Sequence, residues 1–206
     1  MFLVQDVKPT RSELMKLKKR IKLAKSGHSL LKKKRDGLIM EFFEILKDAK
    51  NIRSELVDDY ISAEDKIAVA AALDGSPSVH SAAMAVHAAP PVDVGSKNIM
   101  GVVVPRIRSE SIVRHVHERG YGLAGSSARI DEAAYAYETV VDKILKAAEA
   151  ETTMLRLLDE IDKTKRRVNA LEFKVLPTLS SQAAFIALRL EEIERENVFR
   201  LKKIKK

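Results

Sequence analysis

The chain has 206 residues, of which 32% are charged and only 5% aromatic, and it contains no tryptophan and no cysteine. This composition excludes a large aromatic core and any disulfide or thiol chemistry, and it favours a helical protein that exposes most of its surface. No signal-peptide pattern opens the sequence and no run of eighteen apolar residues occurs. We therefore expect a soluble cytoplasmic protein.

The net charge of +8 is distributed in blocks along the chain. Residues 8–35 contain twelve Lys or Arg and one acid, whereas residues 36–75 contain ten acids and four bases. Residues 127–164 contain nine acids and five bases, whereas residues 165–206 contain eleven bases and five acids. The order is therefore basic, acidic, a central interruption, acidic and basic.

The first predicted element is a long helix over residues 10–73. Thr10 and Glu13 form a capping box at its start. Apolar residues then recur at alternating spacings of three and four over six heptads, which is the pattern of a left-handed coiled coil. The ladder contains Leu14, Leu17, Ile21, Ala24, His28, Leu31, Arg35, Leu38, Phe42, Ile45, Ala49, Ile52 and Leu56. Only His28 and Arg35 are not apolar, and a polar seam residue such as His28 is predicted to fix the register.

A central segment over residues 74–127 interrupts the helical pattern. Asp74-Gly75-Ser76-Pro77 is a turn cluster, and residues 76–91 are left unassigned. Two β-rich runs around a glycine-containing turn predict a β-hairpin at about residues 92–107. Its candidate contact residues are Val92, Val94, Asn98, Met100, Gly101, Val102 and Val104. The glycine-rich stretch that follows is predicted to be a flexible joint.

A second long helix is predicted over residues 128–204, with a bend or a shift of phase near Pro177. Its predicted seam contains Ile144, Ala148, Leu155, Leu158, Ile161, Val168, Leu171, Val175, Ile186, Leu190, Ile193, Phe199 or Arg200, Leu201 and Ile204. Folding this helix antiparallel on the first pairs basic blocks with basic and acidic blocks with acidic. We therefore predict a mainly α fold, a long antiparallel two-helix left-handed coiled coil with a small central β-hairpin and both chain ends at a basic tip.

The basic tip is the main candidate interaction surface. Like-charge repulsion along the helices costs roughly a few tenths of a kcal/mol per pair, which about 2 kcal/mol per buried seam leucine outweighs. An excess of positive charge at one end therefore indicates an acidic partner surface. The candidate residues are Lys16, Lys18, Lys19, Arg20, Lys33, Lys34, Arg35, Arg166, Arg167, Arg195, Arg200, Lys202 and Lys203.

Motifs for small-molecule chemistry are weak in this sequence. Gly120-Tyr-Gly122-Leu-Ala-Gly125 matches a dinucleotide-binding pattern and precedes a helix, but it lacks the βαβ unit that such a site requires. His115 and His117 could share one face of a strand, yet no third metal ligand stands near them. No P-loop and no catalytic constellation occur. We therefore expect no catalytic, cofactor-binding or metal-binding residue.

Five groups of residues, in a fixed order along nearly the whole chain, carry a family resemblance. They are Pro9-Thr-Arg-Ser-Glu-Leu14 with Lys16-Leu-Lys18, Gly27-His-Ser-Leu-Leu-Lys-Lys-Lys-Arg-Asp-Gly-Leu38, Asn98-Ile-Met-Gly-Val-Val-Val-Pro105, Arg166-Arg-Val-Asn-Ala-Leu-Glu172, and Glu194-Arg-Glu196 with Phe199-Arg-Leu-Lys-Lys-Ile-Lys205. With these motifs the chain resembles the D subunit of the archaeal (A-type) and vacuolar (V-type) rotary ATPases.

The resemblance implies a rotor shaft whose paired ends insert into a ring of alternating A and B subunits. It also implies an F subunit on the side of the shaft and, at its lower end, the C subunit, called d in vacuolar enzymes, above the membrane ring. The ATP sites would belong to A and B. This chain would then be a non-catalytic, peripheral component on the cytoplasmic face of the cell membrane that couples ATP synthesis or hydrolysis to ion translocation. The hairpin would contact other stalk subunits or regulate hydrolysis.

Two other classes of protein remain open from the residues. A prefoldin-like chaperone subunit also joins two coiled-coil helices through β-hairpins, but its client-binding tips would be apolar, whereas these tips are rich in Lys and Arg. A nucleic-acid-binding coiled coil would place the basic runs on phosphates, although the runs lack aromatic residues for stacking on bases. Of the classes considered, an enzyme is the one that the residues support least.

Overall fold

A computed structural model describes residues 8–86, 92–109, 112–122 and 126–205. The helices are α1 (Arg11–Asp74), α2 (Ser76–Ala85), α3 (Ala128–Ala170) and α4 (Leu176–Ile204), with a 3-10 turn at Val116–Glu118 and a π turn at Leu171–Val175. The strands β1 (Val92–Ile99) and β2 (Val102–Ser109) form one antiparallel pair. This mainly helical architecture with a small hairpin confirms the predicted fold class. None of the described helices is apolar over a sufficient length to cross a membrane.

The chain divides into two compact units. The terminal unit consists of Met1–Leu38 and Glu160–Lys206, and the central unit consists of Ile39–Asp159. Each unit therefore combines a part of α1 with parts of the chain that come after the midpoint.

The helices of the terminal unit are antiparallel, as its ion pairs show. Arg11 lies 2.5 Å from Glu194, His28 lies 3.3 Å from Glu172, and Lys34 lies 3.3 Å from Glu160. The later a residue stands in α1, the earlier its partner stands in the C-terminal half of the chain. In the central unit, Lys143 Nζ of α3 similarly lies 2.8 Å from Asp59 Oδ2 and 3.2 Å from Glu55 Oε2 of α1.

The seam of α1 follows the predicted heptads. All thirteen predicted positions are buried or half-buried, and Leu17 and Leu38 are 4% and 0% exposed. The helix begins at Arg11, and the Glu13 amide donates a hydrogen bond of 3.2 Å to the Thr10 hydroxyl. The N-terminal capping residue is therefore the predicted one.

The predicted seam of α3 is partly wrong. Ile144, Ala148, Leu155, Leu158 and Val175 are exposed, whereas Ile161, Val168 and Leu171 are buried or half-buried. Besides the predicted Val168, the buried positions are Ile130, Ala133, Ala136, Val140, Thr153, Leu157 and Thr164. Apolar side chains occur there in two phases, and the prediction followed the larger ones. The buried positions combine large apolar residues with alanines and threonines, and the prediction passed over these smaller ones.

Pro177 is accommodated by the π turn that precedes it. The Leu176 amide donates to the Leu171 carbonyl, five residues back. This wider turn suits a proline, which has no amide hydrogen and whose ring would clash with the carbonyl four residues earlier in an α-helix. The helical path therefore continues from α3 into α4 with one extra residue in the turn.

The last turns of α4 also depart from the predicted seam. Ile186 is fully buried and Leu190 is half-buried, but every residue from 191 to 205 is exposed. The predicted seam residues that are exposed there are Ile193, Phe199, Arg200, Leu201 and Ile204. The reason is length, because α1 begins only at Arg11, which already pairs with Glu194. Beyond that pair, the described residues offer α4 no helix to pack against.

Candidate functional site

Antiparallel packing brings the basic blocks from both ends of the chain into one folded unit. The segments of the terminal unit contain 24 Lys or Arg and 10 Asp or Glu, whereas the central unit contains 13 and 19. The charge pattern of the sequence is thus concentrated as a basic surface on the terminal unit. Such a surface attracts acidic partners over a distance of about 10 Å at moderate ionic strength.

Most of the predicted basic residues lie on this surface. The exposed ones are Lys16, Lys18, Lys19, Arg20, Lys33, Arg166, Arg167, Arg195, Arg200, Lys202 and Lys203. Lys34 and Arg35 are half-buried, since Lys34 reaches Glu160 and the Arg35 guanidinium lies 2.7 Å from Asp36. These two side chains are therefore less available to a partner than the other eleven.

Some of the exposed basic residues pair with acids on their own helix. Lys16 Nζ lies 2.9 Å from Glu13, and Arg195 and Arg200 lie 3.8 Å and 3.6 Å from the glutamates four residues earlier. Exposed pairs of this kind contribute only about 0.3–0.5 kcal/mol. A partner can therefore compete for these cations at low cost.

The exposed end of α4 combines positive charge with apolar side chains. Val198, Phe199 and Leu201 are 52%, 69% and 66% exposed, and they alternate with the exposed Arg200 and Lys202. Large apolar side chains in water indicate a surface that a partner covers. The sequence prediction missed this feature because it placed Phe199 and Leu201 in the seam.

The hairpin residues that we predicted as contacts fall into two groups. Val102 and Val104 are 9% and 2% exposed and belong to the core of the central unit, whereas Val92 and Val94 are 41% and 64% exposed. The other three, Asn98, Met100 and Gly101, form the turn.

The turn has the two-residue geometry that favours a hairpin. Ile99 pairs with Val102, and the φ angles of Met100 and Gly101 are 48° and 88°. Positive φ at both positions is characteristic of a type I′ turn. The Gly101 amide also donates to Asn98 Oδ1 at 2.8 Å, which fixes the turn further.

A buried ionic network in the central unit has no counterpart among the sequence predictions. Arg119 is 4% exposed, and its Nε and Nη2 donate to the two carboxylate oxygens of Glu138 at 3.0 Å and 2.9 Å. Its Nη1 donates to the Asp131 carbonyl at 3.2 Å and lies 3.4 Å from the Tyr121 hydroxyl. The Glu138 carboxylate also accepts the Arg114 amide. The network ties the connection over residues 112–122 to α3.

The network keeps Arg119 charged and Tyr121 protonated. Burial disfavours the charged guanidinium, but the hydrogen bonds to Glu138 and Tyr121 outweigh it and raise the pKa of Arg119. Burial, together with the hydrogen bond to Asp131, raises the pKa of Tyr121. Tyr121 therefore stays protonated at neutral pH and donates to Asp131 Oδ1 at 2.5 Å. These groups are mutually satisfied, which is the arrangement of a structural site.

The glycine and histidine motifs have local structural explanations in the described residues. A Cβ on Gly120, whose φ is 88°, would come within 2.7 Å of the Ala85 carbonyl oxygen, so close packing against α2 requires a glycine here. Gly125, the last residue of the dinucleotide pattern, lies outside the described residues. The rings of His115 and His117 stack 5.5 Å apart. Among the residues that the structure describes, no cluster of three or more side chains is suited to hold a metal ion.

An apolar cavity of about 430 Å³ lies in the central unit. Its lining includes Ile67, Val79, Ile112, Ile130 and Tyr137. The charged residues of its lining are Arg114, Arg119 and Glu138, and the last two bond to each other. The described lining is thus mainly apolar.

Comparison with known proteins identifies relatives over nearly the full length. A family model described as the D subunit of ATP synthase matches residues 13–206. The Methanococcoides burtonii protein that is named as the D subunit of the A-type ATP synthase is 59% identical over 202 residues, which cover 98% of both chains. Proteins of the same name from Methanosarcina mazei and Archaeoglobus fulgidus are 57% and 52% identical over 201 residues, covering 98% and 97% of this chain and 96% of each relative. The similarity thus includes the segments of both units.

Proposed function

The chain belongs to the family of ATP synthase D subunits, and on that premise we propose that it is the central-stalk subunit of an A-type ATP synthase. It acts as a rotor shaft that couples ATP synthesis or hydrolysis in the head to ion translocation across the membrane. The observation that carries the proposal is the family match over residues 13–206. The paired long helices are consistent with it.

The helical seam gives the paired helices the resistance to separation that a shaft needs. Thirteen successive seam positions of α1 are buried or half-buried, and each fully buried leucine contributes about 2 kcal/mol against separation of the helices. The two helices have different sequences, so the surface of the pair is asymmetric. As the shaft turns, it presents a different face to each pair of A and B subunits.

The terminal unit is the part that we assign to the head. Its exposed basic residues face acidic loops of the A and B subunits, and the exposed apolar residues of α4, such as Phe199 and Leu201, face apolar side chains there. We assign the F and C (d) subunits to other surfaces of the chain. The nucleotide sites belong to A and B, so this chain is non-catalytic and is held peripherally at the cytoplasmic face of the membrane by the complex.

The chaperone alternative predicted one feature that the structure contains, namely exposed apolar residues near a chain end. Phe199 and Leu201 are such residues. The relatives, however, are named as ATP synthase subunits and give a prefoldin-like function no support. We therefore assign these side chains to the contact with the head and not to the capture of unfolded clients.

Assembly with the head subunits tests the proposal. The chain is co-expressed with the A, B and F subunits, followed by size exclusion and an ATPase assay at two salt concentrations. We expect it to enter the head complex and to bind more weakly at high salt, because screening reduces attraction between charged surfaces. A chain that runs alone while holding unfolded proteins or nucleic acid would contradict the proposal.

Charge reversal tests the basic surface separately. The variant Lys18→Glu, Lys19→Glu, Arg20→Glu reverses three exposed charges of the terminal unit. The matched control Lys47→Glu, Lys50→Glu, Arg53→Glu reverses three exposed charges on the same helix in the central unit. We expect the first variant to bind the head about tenfold or more weakly and the control to bind normally. Full ATP synthesis by the first variant would remove the role of the basic surface.

A further inference from the structure

Strand β1 has an open hydrogen-bonding edge. In a two-residue hairpin, the residues next to the turn, Ile99 and Val102, form a hydrogen-bonded pair, and such pairs alternate along the ladder. The amides of Val94, Ser96 and Asn98 therefore point away from β2. Among the described residues, nothing accepts a hydrogen bond from these three amides. The outer side of β1 thus offers a row of main-chain donors and acceptors.

The opposite edge of the hairpin is largely blocked. By the same alternation, the main-chain groups of Val103, Pro105 and Ile107 of β2 point away from β1, and Pro105 has no amide hydrogen to offer. The Ile107 amide is already taken, because it donates to Glu149 Oε2 of α3 at 3.0 Å. Of these three positions only Val103 keeps an available amide, whereas β1 offers three outward amides in succession, so the side of β1 is the better edge for a further strand.

The two faces of the hairpin differ in polarity. One face of the hairpin contains the side chains of Val94 and Val103, which are 64% and 62% exposed. This face carries no charged residue from Val92 to Ile107. The charged residues of β1, Asp93 and Lys97, lie on the other face, together with the buried Val102 and Val104. This pattern exposes apolar side chains beside an open edge, which folded proteins usually avoid unless a partner covers them.

We propose that the outer edge of β1 receives an extended strand of another subunit of the ATP synthase, which adds a third strand to the hairpin. The unpaired amides and carbonyls require an occupant with an extended main chain. The strand alternates apolar residues, which cover Val92 and Val94, with charged residues on the other face. A basic residue lies beside Asp93 and an acidic residue beside Lys97. The inference rests on the proposed function and specifies how the hairpin binds within the complex.

Residue-resolved hydrogen exchange of the assembled complex tests the inference first. We expect the amides of Val94, Ser96 and Asn98 to exchange about tenfold or more slowly in the complex than in the isolated full-length chain. The amides of Gly95 and Lys97, which already bond to β2, serve as the internal reference. Equal exchange of the three outward amides in both states overturns the inference.

A proline substitution gives the second test. Ser96→Pro removes one outward amide and places a proline directly opposite Pro105. The natural Pro105 shows that the hairpin tolerates a proline at a position whose amide points away from the partner strand. Ser96→Ala keeps the amide and serves as the control. Each variant competes with an equal amount of wild-type chain for limiting partner subunits, and the ratio in the purified complex is measured by mass spectrometry. We expect the purified complex to contain about tenfold less Ser96→Pro than wild-type chain, which corresponds to the loss of one hydrogen bond. Ser96→Ala should be present in the same amount as the wild-type chain. Equal incorporation of both overturns the inference.

The outcomes separate the inference from the proposed function. If the wild-type chain assembles while the outward amides stay unprotected, only the strand addition fails. If the wild-type chain does not assemble at all, the proposed function fails and the inference fails with it. Protection that appears in the isolated chain and rises with its concentration would assign the edge to a second copy, with Asp93 opposite Lys97, and would also overturn the inference.

Discussion

The terminal and central units differ in where they place their charges. The terminal unit has 14 more basic than acidic residues, and its pairs are mostly at the surface, as with Arg11 and Glu194, whose side chains are 79% and 58% exposed. The central unit has 6 more acidic than basic residues but buries Arg119, which pairs with the half-buried Glu138. Charges in the first unit therefore contribute little to its stability and stay available to partners. In the central unit, the buried charge of Arg119 holds the connection over residues 112–122 against α3.

This difference predicts that the two units respond differently to mutation. In the terminal unit, removing a surface charge changes binding more than folding. In the central unit, removing a buried charge changes folding, because its partner is left unpaired away from water. The following substitutions test this contrast, beginning with the largest expected effect.

Arg119→Met removes the buried guanidinium and leaves the Glu138 carboxylate without its main partner. We expect a loss of about 3–5 kcal/mol in the free energy of unfolding of the central unit, measured by urea denaturation. Amides of residues 112–122 should exchange faster, because this connection is tied to α3 through the network.

The control for this prediction is Arg129→Met. Arg129 makes an ion pair of 2.9 Å with Glu132, but both side chains are more than half exposed. Its loss should cost about 0–1 kcal/mol. If both variants lost the same stability, burial would not distinguish the two arginines, both of which belong to the central unit.

Gly120→Ala tests the contact between the connection and α2. The added Cβ would lie 2.7 Å from a main-chain oxygen, and the φ of 88° is unfavourable for alanine. We expect a loss of about 2–3 kcal/mol in thermal unfolding experiments. The matched control is Gly122→Ala, two residues later, where a Cβ meets no atom within 4 Å. Similar losses at both positions would show that the segment is not packed as described.

The sequence predicted the helices well because their signals are local and repeated. The ladder of α1 was correct at thirteen positions, since apolar residues recur there at the heptad spacing over six heptads, although other large apolar residues such as Leu23 and Leu30 are exposed. In α3 the same approach failed at Leu155 and Leu158, because apolar residues occur in more than one phase and some buried positions carry small or polar residues, such as Ala136 and Thr164. Helix packing distance, which decides between the phases, is not visible in one sequence.

The candidate site was predicted in part for a similar reason. Charge blocks are readable from the sequence, so the basic surface could be proposed before the fold was known. The network of Arg119 could not be predicted from the sequence, because it joins residues 19 positions apart whose pairing depends on the path of the connection. The open edge of β1 depends on the register of the hairpin and on Glu149, a residue 42 positions from Ile107.

Thr164→Val tests the seam of the terminal unit. The Thr164 hydroxyl is fully buried and has no hydrogen-bond partner in the described structure. Valine has a similar shape without the unsatisfied group, so we expect a gain of about 1 kcal/mol in urea denaturation. Thr152→Val is the control, because the Thr152 hydroxyl is exposed and bonds to the Ala148 carbonyl. A loss of stability in Thr164→Val would mean that the hydroxyl finds a partner in solution.

Met100→Asn should give the smallest effect, and it tests whether the hairpin of the central unit retains strain in its turn. Met100 has a φ of 48°, a region that asparagine tolerates better than methionine and that β-branched residues avoid. We expect Met100→Asn to stabilise the hairpin by about 0.5–1 kcal/mol, so that the ladder amides of Lys97 and Val104 exchange roughly two- to fivefold more slowly. Met100→Ile should have the opposite sign, because its side chain is also apolar but β-branched. Slower exchange in both variants would show that side-chain contacts, and not the backbone angle at residue 100, govern this turn.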